Sequence, residues 1–246
     1  RPVAVARFEQ GAVARDPALF AEVLKRRSLK EPFDTARPVA GEVLQALEAA
    51  VSKGSVVGST NDMAQVAALR DLTVRAFEIE LNTPRTYHES VELFRIGKRE
   101  VNASPDGIDF SGPMWDALHM TGMFTREAAM DMQGQSFRSG LEMITGTART
   151  GMAYCWLVTK GNTRAEQIAA GRDWVRLNLA ATALGLGVQP MSQALQEFPE
   201  MAEPHAQAHE RLAPAGGTVQ MLGRLGYGPQ VPVSPRWPLD AKLQDV

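Results

Sequence analysis

The stretch GMAYCWLVT, Gly151 to Thr159, constrains this chain more than any other. A nearly continuous apolar run this short is expected of a strand buried on both faces. Such a strand needs a layer of structure on each side. The residues that follow supply one of them. Thr163 and Glu166, in NTRAEQI, make a capping box, the reciprocal hydrogen-bonded pair that opens a helix. That helix is predicted to run to about Gly185, and its Ala and Gly content lets neighbours pack close. The single cysteine, Cys155, lies inside the apolar run and reads as a small buried hydrophobe. With one cysteine, no intramolecular disulfide can form.

Helical patterning recurs before this point. Asp16-Pro17 is a good helix start, and Leu19, Phe20, Val23 and Leu24 keep helical spacing up to Arg27. Pro32 and Pro38 disfavour helix at the residues before them, so EPFDTARPV is extended or turn-like. VAGEVLQALEAAV reads as a second helix with Val43, Leu44, Leu47 and Val51 inward, SVVG as a short strand, and Asp62 to Leu81 as a third helix. Thr83-Pro84 opens a fourth, with Tyr87, Val91 and Phe94 on one stripe. From residue 98 to 150 the signal weakens, and the segment is expected to be loop-rich or a lid. VQPMSQ reads as a strand or its exit, and TVQMLGRLGYG as another strand. Separated strands and helices point to an α+β or α/β fold, in one domain spanning residues 1–246.

Twenty-six basic side chains face twenty-eight acidic ones, for a formal charge of -2. That balance argues against a general nucleic-acid or membrane-surface role. No apolar run is long enough to cross a bilayer. The chain starts at Arg1, so the natural N-terminus is expected upstream. The compartment stays open, with the cytoplasm as the default reading and room for an export signal before Arg1.

Anion binding therefore rests on local clusters. EVLKRRSLKEPFD holds Lys25, Arg26, Arg27 and Lys30 around Ser28. One reading is complementation of a helix C-terminus, where cations meet the negative end of the dipole. The other is a phosphate clamp, in which guanidinium forks match phosphate oxygens and a hydroxyl adds a further bond. Near the other end, Arg236 stands between Pro235 and Trp237-Pro238, after Gly226 and Gly228, which permit a tight turn or a close approach. A rigidly presented arginine there is a second phosphate ligand, or else a surface residue of an irregular tail. His205 and His209 share a helix face, but no third ligand accompanies them, so a solvated surface pair is expected and no metal is assigned. The glycines at Gly185 and Gly187 lack the strand-first order of a dinucleotide fingerprint. Met114 to Met143 is rich in methionine and reads as pliable packing or a lid.

Three blocks in order resemble a known family: VLKRRSLKEPFD with PVAGEVLQALEAA, then WVRLNLAATALGLGVQPMSQ, then RLGYGPQVPVSPRWPLDAKL. They resemble the FMN-dependent nitroreductase superfamily over about Phe20 to Lys242. PDGID and GLGVQPMSQALQEFPEM are similar to its Acg-type branch, whose chains carry two nitroreductase-like halves. This sequence would match the second half, with residues 1–15 as the tail of the first. The resemblance implies an α+β three-layer α-β-α sandwich with a mixed sheet. It implies an FMN-binding oxidoreductase in which NAD(P)H reduces FMN by hydride transfer to N5, and reduced flavin passes electrons to a nitroaromatic, quinone or similar acceptor. It also implies a homodimer, or pairing with an N-terminal half. By position, Arg26 and Arg27 would hold the phosphate or approach the ribityl chain, and Ser28 would bond the phosphate end or the ribityl hydroxyls. Lys30 would lie near N1 and O2 of the ring, and Arg236 would be the C-terminal phosphate ligand. Pro190, Met191, Ser192 and Gln193 fall near the segment whose backbone faces N5. No catalytic residue is assigned. One segment departs from the pattern: where members carry Pro-Ser-x-x-Asn-x-Gln-Pro-Trp, this chain reads AAVSKGSVVGSTND. That departure, with the Met-rich stretch, gives the alternative of a non-catalytic flavin-binding or flavin-sequestering protein with a lidded site.

Overall fold

Alternation along the apolar run builds the molecule. The computed structural model describes residues 7, 10–11, 16–51 and 54–243. In chain order the elements are α1 (Pro17–Phe20), α2 (Gly41–Ala50), β1 (Val56–Thr60), α3 (Met63–Asn82), α4 (Pro84–Glu92), β2 (Phe94–Ile96), α5 (Gly97–Ala103) and β3 (Ile108–Phe110). There follow α6 (Pro113–Met120), α7 (Arg126–Met130), α8 (Gln135–Ala148), β4 (Ala153–Thr159), α9 (Arg164–Ala183), β5 (Gly187–Pro190), α10 (Ala202–Leu212) and β6 (Thr218–Gly226).

The main sheet has the order β1-β4-β6-β5 and is antiparallel throughout. β4 lies inside it and is buried on both faces, as its composition requires. Ala153, Cys155 and Leu157 point to one side, where Leu44 and Leu47 of α2 and Leu177 and Ala181 of α9 close a core. Tyr154 and Val158 point to the other, against Val66, Leu69 and Phe77 of α3 and Ala208 and Leu212 of α10. The result is helix, sheet, helix in three layers. Parallel pairing also occurs, but in a separate two-stranded sheet, β2 with β3.

The helix starts expected from side-chain caps form as expected. Thr163 and Glu166 close the capping box of α9, and the Asp62 carboxylate accepts the Gln65 N–H at the start of α3. Three expectations are corrected. The first helix does not reach Arg27; it ends at Phe20 and the chain continues as turns to Lys25. Its apolar stripe is not a core face: Phe20, Val23 and Leu24 are exposed, Leu24 by 87%. Burial in this stretch goes to Leu29 and Phe33 instead. The fourth helix stops at Glu92, so Phe94 belongs to β2. Residues 98–150 are largely helical, and Ala129 and Phe137 from this region share a core with Tyr87 and Val91 of α4 and Phe94 and Ile96 of β2. Short helices carrying one or two core aromatics each leave little periodicity to read, which is why this region looked irregular. Among the described residues, no helix is long and apolar enough to cross a membrane.

Candidate functional site

The basic loop is seated by absent side chains. Leu29 and Phe33 are nearly fully buried against the ends of β5 and β6. A Cβ on Gly226 would lie 2.5 Å from Phe33 Cδ2, one on Gly187 2.6 Å from Leu29 Cδ2, and one on Gly228 2.9 Å from Leu29 Cδ2. None of the three has a positive φ, so each glycine is there for close approach. Backbone bonds then stitch the loop down. Leu29 N–H donates to Val188 O (2.9 Å), Phe33 N–H to Thr150 Oγ1 (2.8 Å) and Asp34 N–H to Tyr227 O (2.7 Å). The Leu29–Val188 bond sets the segment Arg26–Lys30 alongside the strand that leads into Pro190–Gln193.

Within that pair of segments several donors stay free. Arg27 Nη1 donates to the carbonyls of Leu24 and Arg26, at 2.8 Å each, which leaves its Nε buried without a partner. Arg26 and Ser28 are half-buried and Lys30 is exposed; none of their side chains is hydrogen-bonded among the described residues. Lys25 is different, since it pairs with Glu22 at 2.8 Å. Pro190 ends β5, and Met191 is fully buried with its N–H donating to Leu222 O. Ser192 and Gln193 open a short 3-10 turn, and Gln193 Oε1 is buried with no donor facing it.

Among the described residues, no hydrogen bond or ion pair joins Arg236 to these segments. It is exposed and donates to the carbonyl of Pro235 at 2.9 Å. Its neighbour Trp237 anchors the tail by donating its indole N–H to Asp106 Oδ2 at 2.9 Å. Asp106 also accepts from Ser104 and Arg95. The Trp237 bond, then those from Ser104 and Arg95, hold its carboxyl down at about 2. The tail that carries Arg236 is thus fastened to the loop between α5 and β3.

One residue of consequence went unread in the sequence. Arg224 is completely buried in β6. Its Nε donates to Gln189 Oε1 (2.6 Å), its Nη1 to Thr150 Oγ1 (2.8 Å) and its Nη2 to Glu31 O (2.8 Å). The guanidinium carbon sits 4.1 Å from the centre of the Phe33 ring. No carboxylate pairs with it among the described residues, and burial lowers its pKa to about 10. The signal was the period of two: Leu222 and Arg224 share the face that Tyr154 occupies in β4. An arginine at an inward position of a buried strand is the unusual residue to look for. An open cleft of about 400 Å³ lies beside this loop, lined by Pro32, Phe33, Asp34, Arg37 and Tyr227, with the Arg37 guanidinium 3.5 Å from the Tyr227 ring centre.

Two other candidates resolve into packing. Cys155 is fully buried, and burial pushes its thiol up to about 12. His205 and His209 are half-buried, not the solvated pair expected. Their rings lie 4.3 Å apart, and His209 Nε2 accepts the Val219 N–H at 3.2 Å, tying α10 to β6. Among the described residues, no group of three or more His, Cys, Asp or Glu could hold a metal.

An antiparallel sheet between two helical layers, with the basic loop laid across its β5–β6 end, is a nitroreductase-like fold. Two solved structures make the comparison concrete. The nitroreductase with bound FMN from Bacteroides fragilis matches 93% of this chain and 97% of its own, with a TM-score of 0.53 at 11% identity. The FMN-dependent nitroreductase NfnB from Mycobacterium smegmatis, solved in complex with NADPH, matches 94% of this chain and 98% of its own, with a TM-score of 0.50 at 18% identity. Neither a protein-family model nor a curated protein sequence matches the chain.

Proposed function

We propose that this protein is an FMN-binding oxidoreductase of the nitroreductase type, using NAD(P)H as donor and a nitroaromatic, quinone or similar compound as acceptor. The observation that carries the reading is a pair of orphaned buried atoms, Arg27 Nε and Gln193 Oε1. They sit on the two segments that the Leu29–Val188 bond holds side by side. A buried donor and a buried acceptor without partners are costly, at about 1–3 kcal/mol each, and a ligand that meets them relieves that cost. A fold neighbour solved with bound FMN supports the same reading.

On this reading Arg26, Arg27 and Ser28 bind the phosphate and ribityl end, with Arg236 joining from the anchored tail. Lys30 sets a positive charge beside the ring, and Pro190 to Gln193 orient the ring edge. FMN, when bound, supplies the electron transfer. The chain binds, orients and holds charge, and needs no acid or base of its own. Membership of the Acg-type branch follows from the same sequence blocks. The exposed apolar residues Phe20 and Leu24, near α1, and Ile168 and Val175, on α9, suit a homodimer partner or an N-terminal half of the same chain.

A non-catalytic flavin binder is the second reading. What favours it is the stretch Ala49–Asp62: in place of the Asn-x-Gln-Pro-Trp motif it carries β1, whose residues pair with β4. One experiment separates the two. The purified protein is loaded with FMN, its yellow absorbance recorded, and NADPH added without oxygen. Bleaching supports the oxidoreductase and persistent yellow the binder. A protein that takes up no FMN refutes both.

A further inference from the structure

We propose that Arg224 is the positioning residue of the flavin site: one buried guanidinium holds the basic loop and the exit of β5 in a single arrangement. The inference rests on the site assignment above. It starts from an imbalance. A fully buried arginine with no carboxylate partner is expensive to keep, and an apolar residue would suit an inward position of a central strand better. What the charge gains is geometry.

The guanidinium is flat and offers donors in fixed directions. Arg224 uses three of its nitrogens on three different chain segments. Glu31 O belongs to the loop that begins at Arg26, Gln189 Oε1 to the strand that delivers Pro190 to Gln193, and Thr150 Oγ1 to the turn before β4. Thr150 passes the constraint on, since the same oxygen accepts the Phe33 N–H and donates to Thr147 O. Phe33 then packs under the guanidinium face. The two segments proposed to meet FMN are therefore fixed relative to each other through one side chain. An alkyl residue could fill the space but could hold none of the three acceptors. A lysine could keep the charge but not satisfy all three from one plane.

The experiment compares wild type with Arg224→Met, Arg224→Lys, Gln189→Leu and Thr150→Val. FMN affinity is read by quenching of flavin fluorescence, and amide hydrogen exchange is read at Leu29, Phe33, Asp34 and Met191. Leu47→Ala, in the core layer on the opposite face of the sheet, controls for general destabilisation. Arg224→Met and Arg224→Lys should both weaken FMN binding at least about tenfold, the scale of losing a hydrogen bond to a charged group. Exchange should quicken at the four reporter amides and stay unchanged in β1. Leu47→Ala should lower the melting temperature without this pattern. If the Arg224 variants do not fold, Gln189→Leu and Thr150→Val carry the test, each removing one acceptor and each expected to loosen the same amides. The proposal is overturned if Arg224→Met, or in its place both single-acceptor variants, bind FMN within twofold of wild type. It is also overturned if lysine restores full affinity, or if exchange quickens evenly across the sheet. A wild type that binds no FMN would sink the flavin reading alone. The exchange pattern would still decide whether Arg224 fixes the two segments.

Discussion

Replacing Gly226 with alanine tests the seat of the basic loop. The new methyl carbon would lie 2.5 Å from Phe33 Cδ2, 2.6 Å from Cγ and 2.8 Å from Cβ. These atoms are the root of the ring rather than its far edge, so rotation of the ring cannot clear the clash. Phe33 cannot simply retreat either. Its N–H is bonded to Thr150 Oγ1, and its ring faces Arg224. Either β6 shifts or the loop lifts. Overpacking of this kind costs about 1–3 kcal/mol. At about 2–4 °C per kcal/mol for a domain of this size, Gly226→Ala should melt about 2–12 °C below wild type. It should also bind FMN more weakly, since the loop that moves carries Arg26 to Lys30. Gly171→Ala is the control: this helical glycine has open space around it, so alanine should stabilise by about 0.5–1 kcal/mol. Phe33→Ala, which removes Cγ and Cδ2, should cost less in the Gly226→Ala background than in wild type, because the two changes share one contact. Circular-dichroism melts and flavin titration read all of these. A Gly226→Ala protein that melts within about 1 °C of wild type with unchanged FMN affinity would refute the seating.

Other expectations concern titration and access. The Asp106 carboxyl is held at about 2 against an ordinary 3.8, so its contribution is complete above 3.8 and is lost as pH falls through 2. At neutral pH Asp106→Ala should free the tail, and trypsin should then cut after Arg236 faster than in wild type. The pKa of His205 is lowered by burial and then by His209, so protonation opposes folding. Stability should be complete above 6.5 and decline as pH falls below it, and His205→Gln should flatten that slope in melting curves. The Cys155 thiol, pushed up to about 12 by complete burial, should resist iodoacetamide at pH 8 until the protein is unfolded in urea. Rapid labelling of native protein would contradict its place in the core.

The central strand and its following helix were legible because each carries a local cause. GMAYCWLVT can only be covered on both sides, and Thr163 with Glu166 starts a helix by its own hydrogen bonds. Boundaries set by distant partners were not legible. The chain leaves helical geometry after Phe20 because Leu29 and Phe33 find a surface on Gly187, Gly226 and Gly228, far along the sequence. Local spacing cannot reveal that competition. The core around Tyr87 and Phe137 joins α4, β2, α7 and α8; the stripe of α4 was legible, but its packing partners lie on separate pieces that local spacing does not connect. Of the candidate site, the basic cluster was visible as composition. The unpaired state of Arg27 Nε and the buried fork of Arg224 exist only in three dimensions.

The distribution of ion pairs ties these features together. Away from the loop, arginines meet acids: Arg75 with Glu203, Arg85 with Glu200, Arg95 with Asp106 and Arg126 with Glu100. A chain with a formal charge of -2 thus neutralises much of its basic surface internally. Around the loop the pattern reverses. Lys25 is paired with Glu22, but Arg26, Arg27, Lys30 and the buried Arg224 have no carboxylate partner among the described residues. Unpaired cations gathered at one loop attract an anion, and confinement to a few residues suits one compact phosphate better than a polymer, which needs an extended stripe. Arg224 adds charge that salt screens only weakly, because it is out of contact with solvent. Affinity for a phosphate here should therefore fall less steeply with ionic strength than the exposed cations alone would dictate, and Arg224→Met should restore the steeper dependence.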